Sequence, residues 1–271
     1  MNLISTCLSG RWSLIMVAMA TLLIGSSVNA ADWAYDFDGP EPAGWFTGSV
    51  TIPPGGTSGT FMATIEAGGP TGNYLQLEDT TPADSGGSFS AIGGTSDVFS
   101  DVVVAADVNI TLDSNDDLGV LARADIVAGS SYYGHVDFER GNACITKIKE
   151  FTIGTDIACT ADGLFDASER YTVELSAVGG ATTTLTLDVT GSGGTETVMA
   201  VDDGTIMDFG AAYTSGTSGV FVVPLGATLD IAFMNPITGT FDNVSSSVPE
   251  PGSSLLSLVG CLGLLAWRRK R

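Results

Sequence analysis

Residues 101–127 read DVVVAADVNITLDSNDDLGVLARADIV, and this stretch carries the strongest strand signal in the chain. Within residues 101–112 the apolar side chains recur at every second position, which is the period of a strand with one buried face. The polar cluster at 113–117 predicts a turn, and 118–127 predicts a returning strand. The centre of the fold is therefore predicted to be a pair of adjacent antiparallel strands.

The same alternation, bounded by Gly, Pro, Asn, Asp and Ser clusters, continues on both sides of this centre, and no helical period accompanies it. We expect loops at 53–56 and 80–94. A dozen short strands predict an all-β fold, a two-sheet antiparallel jelly-roll sandwich that forms one domain over residues 31–247. The further predicted strands are 35–37, 44–52, 73–78, 132–139, 144–153, 171–177, 182–190, 195–201, 219–223, 228–233 and 240–245.

Three segments carry a resemblance to a known fold family: DDLGVLAR at 116–123, SYYGHVDF at 131–138 and FDNV at 241–244. Together they resemble the concanavalin or laminin G-like jelly rolls. The resemblance implies the sandwich fold over the whole body. It also implies a choice of roles, because this family includes glycosidases, carbohydrate-binding modules and structural domains.

The N-terminal 30 residues have the three parts of a secretory signal peptide. Arg11 precedes an apolar core at 14–24, and Val28-Asn29-Ala30 provides small residues at a cleavage site. We therefore expect export by the general secretory route and a mature protein that begins near Ala31.

The last residues, 248–271, form a second targeting segment. An extended, protease-accessible strip, Val248-Pro249-Glu250-Pro251, precedes an apolar run of about fifteen residues, which is shorter than the roughly 20 of a stable span. This order resembles the PEP-CTERM sorting signal of Gram-negative bacteria. The resemblance implies exosortase as a partner and a transient inner-membrane anchor before release to the cell surface or matrix; the alternative is a tail anchor that is never cut. The basic end consists of Arg268, Arg269, Lys270 and Arg271.

The predicted body is strongly acidic. Of the 31 acidic residues in the chain only Glu250 lies outside it, so 30 acids face five basic residues and the body charge is about −25. Such a surface repels nucleic acid and anionic lipid, so neither is an expected partner. The five basic residues are Arg123, Arg140, Lys147, Lys149 and Arg170.

The body contains two cysteines, Cys144 and Cys159. In an oxidising compartment two such residues are expected to pair as a disulfide bond. A zinc site would need two further ligands, and the single histidine, His135, cannot supply both. Because Cys144 shares its strand face with polar residues, we expect the disulfide at a sheet margin.

One predicted strand, His135-Val136-Asp137-Phe138-Glu139, is the candidate catalytic strand for glycan hydrolysis. In the laminarinase-type glycosidases of the resembled family, two carboxylates on one strand face act as nucleophile and general acid. Here His135 stands at the nucleophile position, and an imidazole cannot form the glycosyl ester. We therefore expect a body that is not an enzyme.

The resemblance to carbohydrate-binding jelly rolls also implies a structural calcium ion. In such domains the ion joins the first strand to an aspartate of the last strand. Asp36 and Asp38 near the start of the body and Asp242 near its end match this arrangement. We expect these three carboxylates to be its ligands.

These observations predict an exported, exosortase-processed protein of the cell surface or exopolysaccharide matrix. Its body is expected to be a structural or adhesive jelly roll without catalytic residues. Two alternatives remain at this point: a carbohydrate-binding module, which would have extracellular polysaccharide as its partner, and an unusual glycosidase.

Overall fold

A computed structural model describes residues 33–39, 45–51, 61–69, 72–79, 86–92, 98–110, 116–150, 153–206, 208–224 and 237–248. Within these ranges the chain forms fifteen strands in two antiparallel sheets, which confirms the predicted all-β sandwich. The strands are β1 (Trp33–Tyr35), β2 (Trp45–Thr51), β3 (Phe61–Ala67), β4 (Asn73–Asp79), β5 (Gly86–Ile92), β6 (Val102–Ile110), β7 (Asp116–Asp125), β8 (Ser130–Asp137), β9 (Asn142–Lys149), β10 (Ile153–Cys159), β11 (Tyr171–Gly179), β12 (Thr183–Gly191), β13 (Gly194–Asp202), β14 (Thr217–Pro224) and β15 (Ile237–Ser247).

In both sheets, several neighbouring strands are distant from each other in sequence. The eight-stranded sheet has the order β13-β12-β11-β6-β15-β4-β3, with β1 paired to β15. The seven-stranded sheet has the order β10-β9-β8-β7-β14-β5-β2. Because β1 and β15 pair, Trp33 lies opposite Ser246, and both ends of the body leave the sandwich at one place.

The core lies between the sheets, and the central alternation builds it. In β6 every second residue from Val102 to Ile110 is buried, and the residues between these positions are half-buried. On the facing sheet Leu118 and Val120 of β7 are also fully buried in the same cluster. Each such side chain contributes about 1.5–3 kcal/mol on burial, so the period-two pattern sets the register of both sheets.

The predicted strands at the centre and at 171–177, 182–190 and 195–201 are confirmed with small shifts of their ends. The prediction of a loop over 80–94 is wrong where it covers β5. Its sequence, GGSFSAI, has weak strand propensity, but β5 pairs with β2 on one side and β14 on the other. Pairing on both sides overrides propensity there.

Four further strands differ from the sequence prediction. The strand predicted over 144–153 ends at Lys149, because Glu150 adopts a left-handed φ of 57° and turns the chain. The edge strand β10 follows, which the sequence did not predict, as it also did not predict β3. Asp116 and Asp117, assigned to a turn, belong to β7.

Several predictions fall on residues outside the described ranges: the signal peptide at 1–30, the loop at 53–56, the strand at 228–233 and the sorting signal beyond Val248. They stay predictions. No helix in the described ranges has the length and apolar character that a membrane crossing requires.

Arg123 connects the two sheets from inside. It sits at a register shift in β7 with a φ of 53°, and its side chain is completely buried. Its guanidinium donates to Thr183 Oγ1 at 2.8 Å and to the carbonyl oxygens of Gly179 and Tyr213 at 2.7 and 2.6 Å. The bulge thus turns a charged side chain inward, where three segments accept hydrogen bonds from its two terminal nitrogens, while Nε has no partner among the described residues.

A second buried cation, Lys147 of β9, pairs with Asp202 of β13 at 2.7 Å, and neither side chain is exposed. The ammonium also donates to the carbonyl oxygens of Gly210 and Ala211. Tyr132 donates its hydroxyl to the same Asp202 carboxylate at 2.7 Å. The pair therefore links β9 of one sheet to the edge strand β13 of the other through fully hydrogen-bonded charges, the arrangement that makes a buried ion pair tolerable.

The Cys144–Cys159 disulfide is confirmed. It joins directly opposed residues of β9 and β10, and β10 is the edge of its sheet, so the predicted marginal position is also confirmed. The bond closes a loop between residues 15 apart in sequence and anchors the edge strand.

We expect the double substitution Cys144→Ser and Cys159→Ser to lower the free energy of unfolding by about 3 kcal/mol, the loop-closure entropy of such a bridge. Urea unfolding of the body, with and without a reducing agent, measures this. The reductant should destabilise the wild type and leave the double variant unchanged. Equal midpoints for all samples would contradict a stabilising bridge.

Candidate functional site

The outer face of the seven-stranded sheet carries a cluster of buried polar side chains. Along β8, Tyr132 and Val136 point into the core, so Tyr133, His135 and Asp137 lie on the opposite face. His135 is 4% exposed. The predicted sharing of one face by His135 and Asp137 is therefore correct.

His135 is held from both sides of its ring. Nδ1 lies 3.3 Å from Asp117 Oδ2, an ion-pair distance without hydrogen-bond alignment. Nε2 lies 2.9 Å from the hydroxyl of Thr146, which donates to Asp156 Oδ1 at 2.6 Å. Since that hydroxyl uses its hydrogen on Asp156, Nε2 must be the donor to Thr146. The ring of Tyr133 stacks on the imidazole at 4.4 Å and 4°.

The pKa values of Asp117 and His135 are both raised above their ordinary values. Burial raises the pKa of Asp117 to about 6, although the neighbouring His135 lowers it in part. For His135 burial disfavours the charged form, but the carboxylates of Asp117, Asp156 and Asp137 outweigh it and raise its pKa above 6.5. The imidazolium of His135 and the carboxylate of Asp117 therefore each stabilise the charged form of the other.

The glycosidase pattern is only partly reproduced. Glu139 lies in the turn after β8 and is exposed, so it does not join His135 and Asp137. Asp137 accepts a hydrogen bond from the backbone N–H of Arg140 at 2.9 Å. The sequence prediction missed Asp117, which lies directly opposite Asp137 in the β7–β8 pairing. Both of these carboxylates are nearly buried, 6% and 5% exposed.

His135, Cys144 and Asp156 place one donor atom each within 4.8 Å of one another. This group is a poor zinc site, because the sulfur of Cys144 is bonded to Cys159 and offers no thiolate. Two ligands remain, fewer than the three or four that zinc sites use.

A pocket of about 340 Å³ opens on the outer face of the other, eight-stranded sheet. Strands β4, β6 and β15 form its floor, and the segment before β11 forms one side. Tyr74 provides an aromatic wall. The polar lining consists of Asp107, Asn109, Ser168, Arg170, Thr240 and Asp242.

The charges of this pocket are fixed by a bulge in β15. The register of β15 against β6 shifts after Asp242, and Asn243 takes a left-handed φ of 50°. Arg170 Nη2 donates to Asp107 Oδ2 and to Asp242 Oδ2, each at 3.0 Å. The Asn243 amide also donates to Asp107, at 2.8 Å. One guanidinium therefore bridges two carboxylates that face each other across neighbouring strands.

The three expected calcium ligands have other contacts in this structure. Asp38 Oδ1 accepts the backbone N–H of Asn73 at 2.8 Å, and Asp36 Oδ1 accepts that of Asp38 at 3.2 Å. Asp242 pairs with the Arg170 cation. The first and last strands do lie side by side, as the arrangement requires. The calcium site stays a prediction.

No model of a known protein family matches this chain, and no curated protein matches it. Among solved structures, a Bacillus licheniformis β-glucanase is 9% identical, with a TM-score of 0.50 over 81% of this chain and 99% of its own. A carbohydrate-binding module from Bacillus subtilis is 18% identical, with a TM-score of 0.49 over 75% and 95% of the two chains.

A third solved structure, the lectin UEA-II complexed with galactose, is 10% identical, with a TM-score of 0.45 over 80% of this chain and 98% of its own. At these identities the likeness concerns the fold alone. The likeness to the β-glucanase, at a TM-score of 0.50, agrees with the two-sheet jelly-roll fold of this chain.

The single histidine makes the buried cluster directly measurable. In a body without a histidine tag, the NMR titration of the imidazole C–H signals should give His135 a pKa above 6.5. Asp117→Asn should lower that pKa, because the substitution removes the nearest carboxylate. Asp188→Asn, an equal charge change at a strand of the other sheet, serves as the control. An unchanged pKa in Asp117→Asn would contradict the pairing.

The same pKa shifts affect stability. The raised pKa of Asp117 contributes stability that is complete below pH 3.8 and is lost as the pH rises through about 6. The contribution of His135 is complete below pH 6.5 and is lost above it as its raised pKa is passed. The free energy of unfolding should therefore fall between pH 5 and pH 8, and fall less in Asp117→Asn. Urea unfolding at both pH values measures the difference.

Proposed function

We propose that this chain is an exported protein whose jelly-roll body binds extracellular polysaccharide without hydrolysing it. The observation that carries the proposal is the pocket on the eight-stranded sheet. It combines the aromatic wall of Tyr74 with the hydrogen-bonding groups of Asp107, Asn109 and Arg170. A concave site with an aromatic surface and a few convergent polar groups suits a sugar ring, which has apolar faces and hydroxylated edges.

Export is supported by the disulfide bond, which forms and persists outside the reducing cytosol. The acidic surface also suits a protein of the cell surface or the exopolysaccharide matrix, because it prevents association with anionic lipid. Polysaccharide binding would then itself be the adhesive role that the sequence predicts.

The proposed absence of hydrolysis is supported by the contacts that hold His135 and by the position of Glu139. The imidazole is stacked on Tyr133 and held by Thr146, and the exposed acid Glu139 lies in the turn after β8, away from the cluster. A retaining or inverting glycosidase needs two carboxyl groups that reach the glycosidic bond.

A glycosidase is the second candidate, and one observation favours it. Asp117 has a raised pKa of about 6, as a general acid does, and it stands opposite Asp137. Their burial opposes this function, since a glycosidic oxygen must contact the acid that protonates it.

Purified body applied to immobilised polysaccharides should be retained by at least one of them, and reducing ends should not accumulate in the same mixtures. A glycan array and a reducing-sugar assay on β-glucans measure the two properties. Sugar release that Asp117→Asn abolishes would replace binding with hydrolysis as the function. Retention on no polysaccharide would leave a structural protein.

We also propose that the segment after Val248 is a PEP-CTERM sorting signal that exosortase processes. The support is the sequence order of Pro249-Glu250-Pro251, a short apolar run and a basic end. The body has its own core and disulfide, so it should fold whether or not the tail is present.

Mass spectrometry of the exported protein should find no peptide that contains Trp267 in wild-type cells and should find it in cells lacking exosortase. Replacing Pro249-Glu250-Pro251 with alanines should keep the full-length form in the membrane fraction. The same replacement should not change the melting temperature of the purified full-length protein. Trp267 on the mature wild-type protein would favour an uncut tail anchor.

A further inference from the structure

We infer that the pocket between Tyr74 and Arg170 selects neutral polysaccharides and excludes acidic ones such as uronic acid polymers. This inference rests on the proposed polysaccharide binding and adds the class of ligand. It follows from three properties of the pocket: its net charge, its unused hydrogen-bonding groups and its rigidity.

The charge of the pocket is negative. Asp107 and Asp242 contribute two carboxylates, and among the described residues Arg170 is the cation that pairs with them. The ligand-facing sum is one negative charge, within a body that is itself strongly acidic. A uronate would place a third carboxylate beside one shared guanidinium, and like charges at such distances repel. A neutral sugar incurs no such cost.

The pocket nevertheless has donors and acceptors to offer. Within the described part of the chain, Arg170 donates only through Nη2, so the N–H groups of Nε and Nη1 are available. The side-chain amide of Asn109 also has no partner among the described residues, and it both donates and accepts. Sugar hydroxyls match this mixture, since each is a donor and an acceptor.

The carboxylates are held in place before any ligand arrives. Asp107 accepts hydrogen bonds from Thr172, Asn243 and Arg170, and Asp242 accepts the backbone N–H of Asn243. Asp242 is 3% exposed although it lines the pocket. Preorganised polar groups of this kind improve affinity, because the binding partner does not have to order them. The left-handed Asn243 residue, an uncommon conformation, is the local cost of this arrangement.

Two substitutions separate charge from shape. Asp107→Asn keeps the size of the side chain and makes the pocket neutral, so binding to acidic polymers should increase by tenfold or more. Asn109→Ala removes a ligand-facing amide without touching the Arg170 ion pairs, so binding to neutral polymers should weaken about tenfold. Asp188→Asn, an equal charge change on the same sheet outside the pocket, should alter neither.

The measurement is affinity electrophoresis or calorimetry of the mature body with laminarin, dextran and galactomannan as neutral probes and with alginate and polygalacturonate as acidic probes. Circular dichroism and thermal melting confirm that each variant is folded. The wild type should bind at least one neutral probe and neither acidic probe.

Three results would overturn the inference in distinguishable ways. Wild-type binding to neutral probes that Asn109→Ala and Asp107→Asn leave unchanged would place the site elsewhere and keep the proposed function. Preferential binding of the wild type to alginate or polygalacturonate would refute the charge selection. Binding to no polysaccharide at all would refute the proposed function itself.

Discussion

Two cations sealed between the sheets, Arg123 and Lys147, determine how the two layers meet. A charged group taken out of water costs several kcal/mol unless fixed partners receive it, and removal of one partner from such a pair costs roughly 3–5 kcal/mol. Both side chains are fully buried, and both find their partners on segments of the opposite layer or on the connection before β14. Apolar burial drives the sheets together, but it is not directional, so it would allow one sheet to slide over the other. The hydrogen bonds of these two cations have fixed directions and do not allow that movement.

The layers fixed in this way present two polar faces with different chemistry. On the seven-stranded sheet the polar groups face one another: Asp117, His135, Thr146 and Asp156 form a continuous series of ion-pair and hydrogen-bond contacts. On the eight-stranded sheet the guanidinium of Arg170 keeps donors unused and borders a cavity. The difference explains why the histidine, the most conspicuous residue in the sequence, is a poor candidate for ligand binding.

The sequence predicts the sandwich because period-two alternation survives in the strands that build its core, from β6 to β8 and from β11 to β13. The sequence prediction fails at β5, where a segment rich in glycine and serine forms a strand only because β2 and β14 pair with it. The disulfide is predictable from two cysteines in an exported body. The pocket is not, since Asp107, Arg170 and Asp242 come from three distant strands or loops and only the fold brings them together. One signal was present: Asp107 and Asn109 stand on the polar side of β6.

The pairing of β1 with β15 has a mechanical consequence. Val248 continues directly from β15, and Asp242, on the same strand, borders the pocket. If the chain is held at the cell through the segment after Val248 and grips a polysaccharide at the pocket, tension between the two passes along a few residues of one strand. That strand is bonded to β6, β4 and β1, so the load acts on the ladders in shear. The hydrophobic core lies beside this path and carries little of the force.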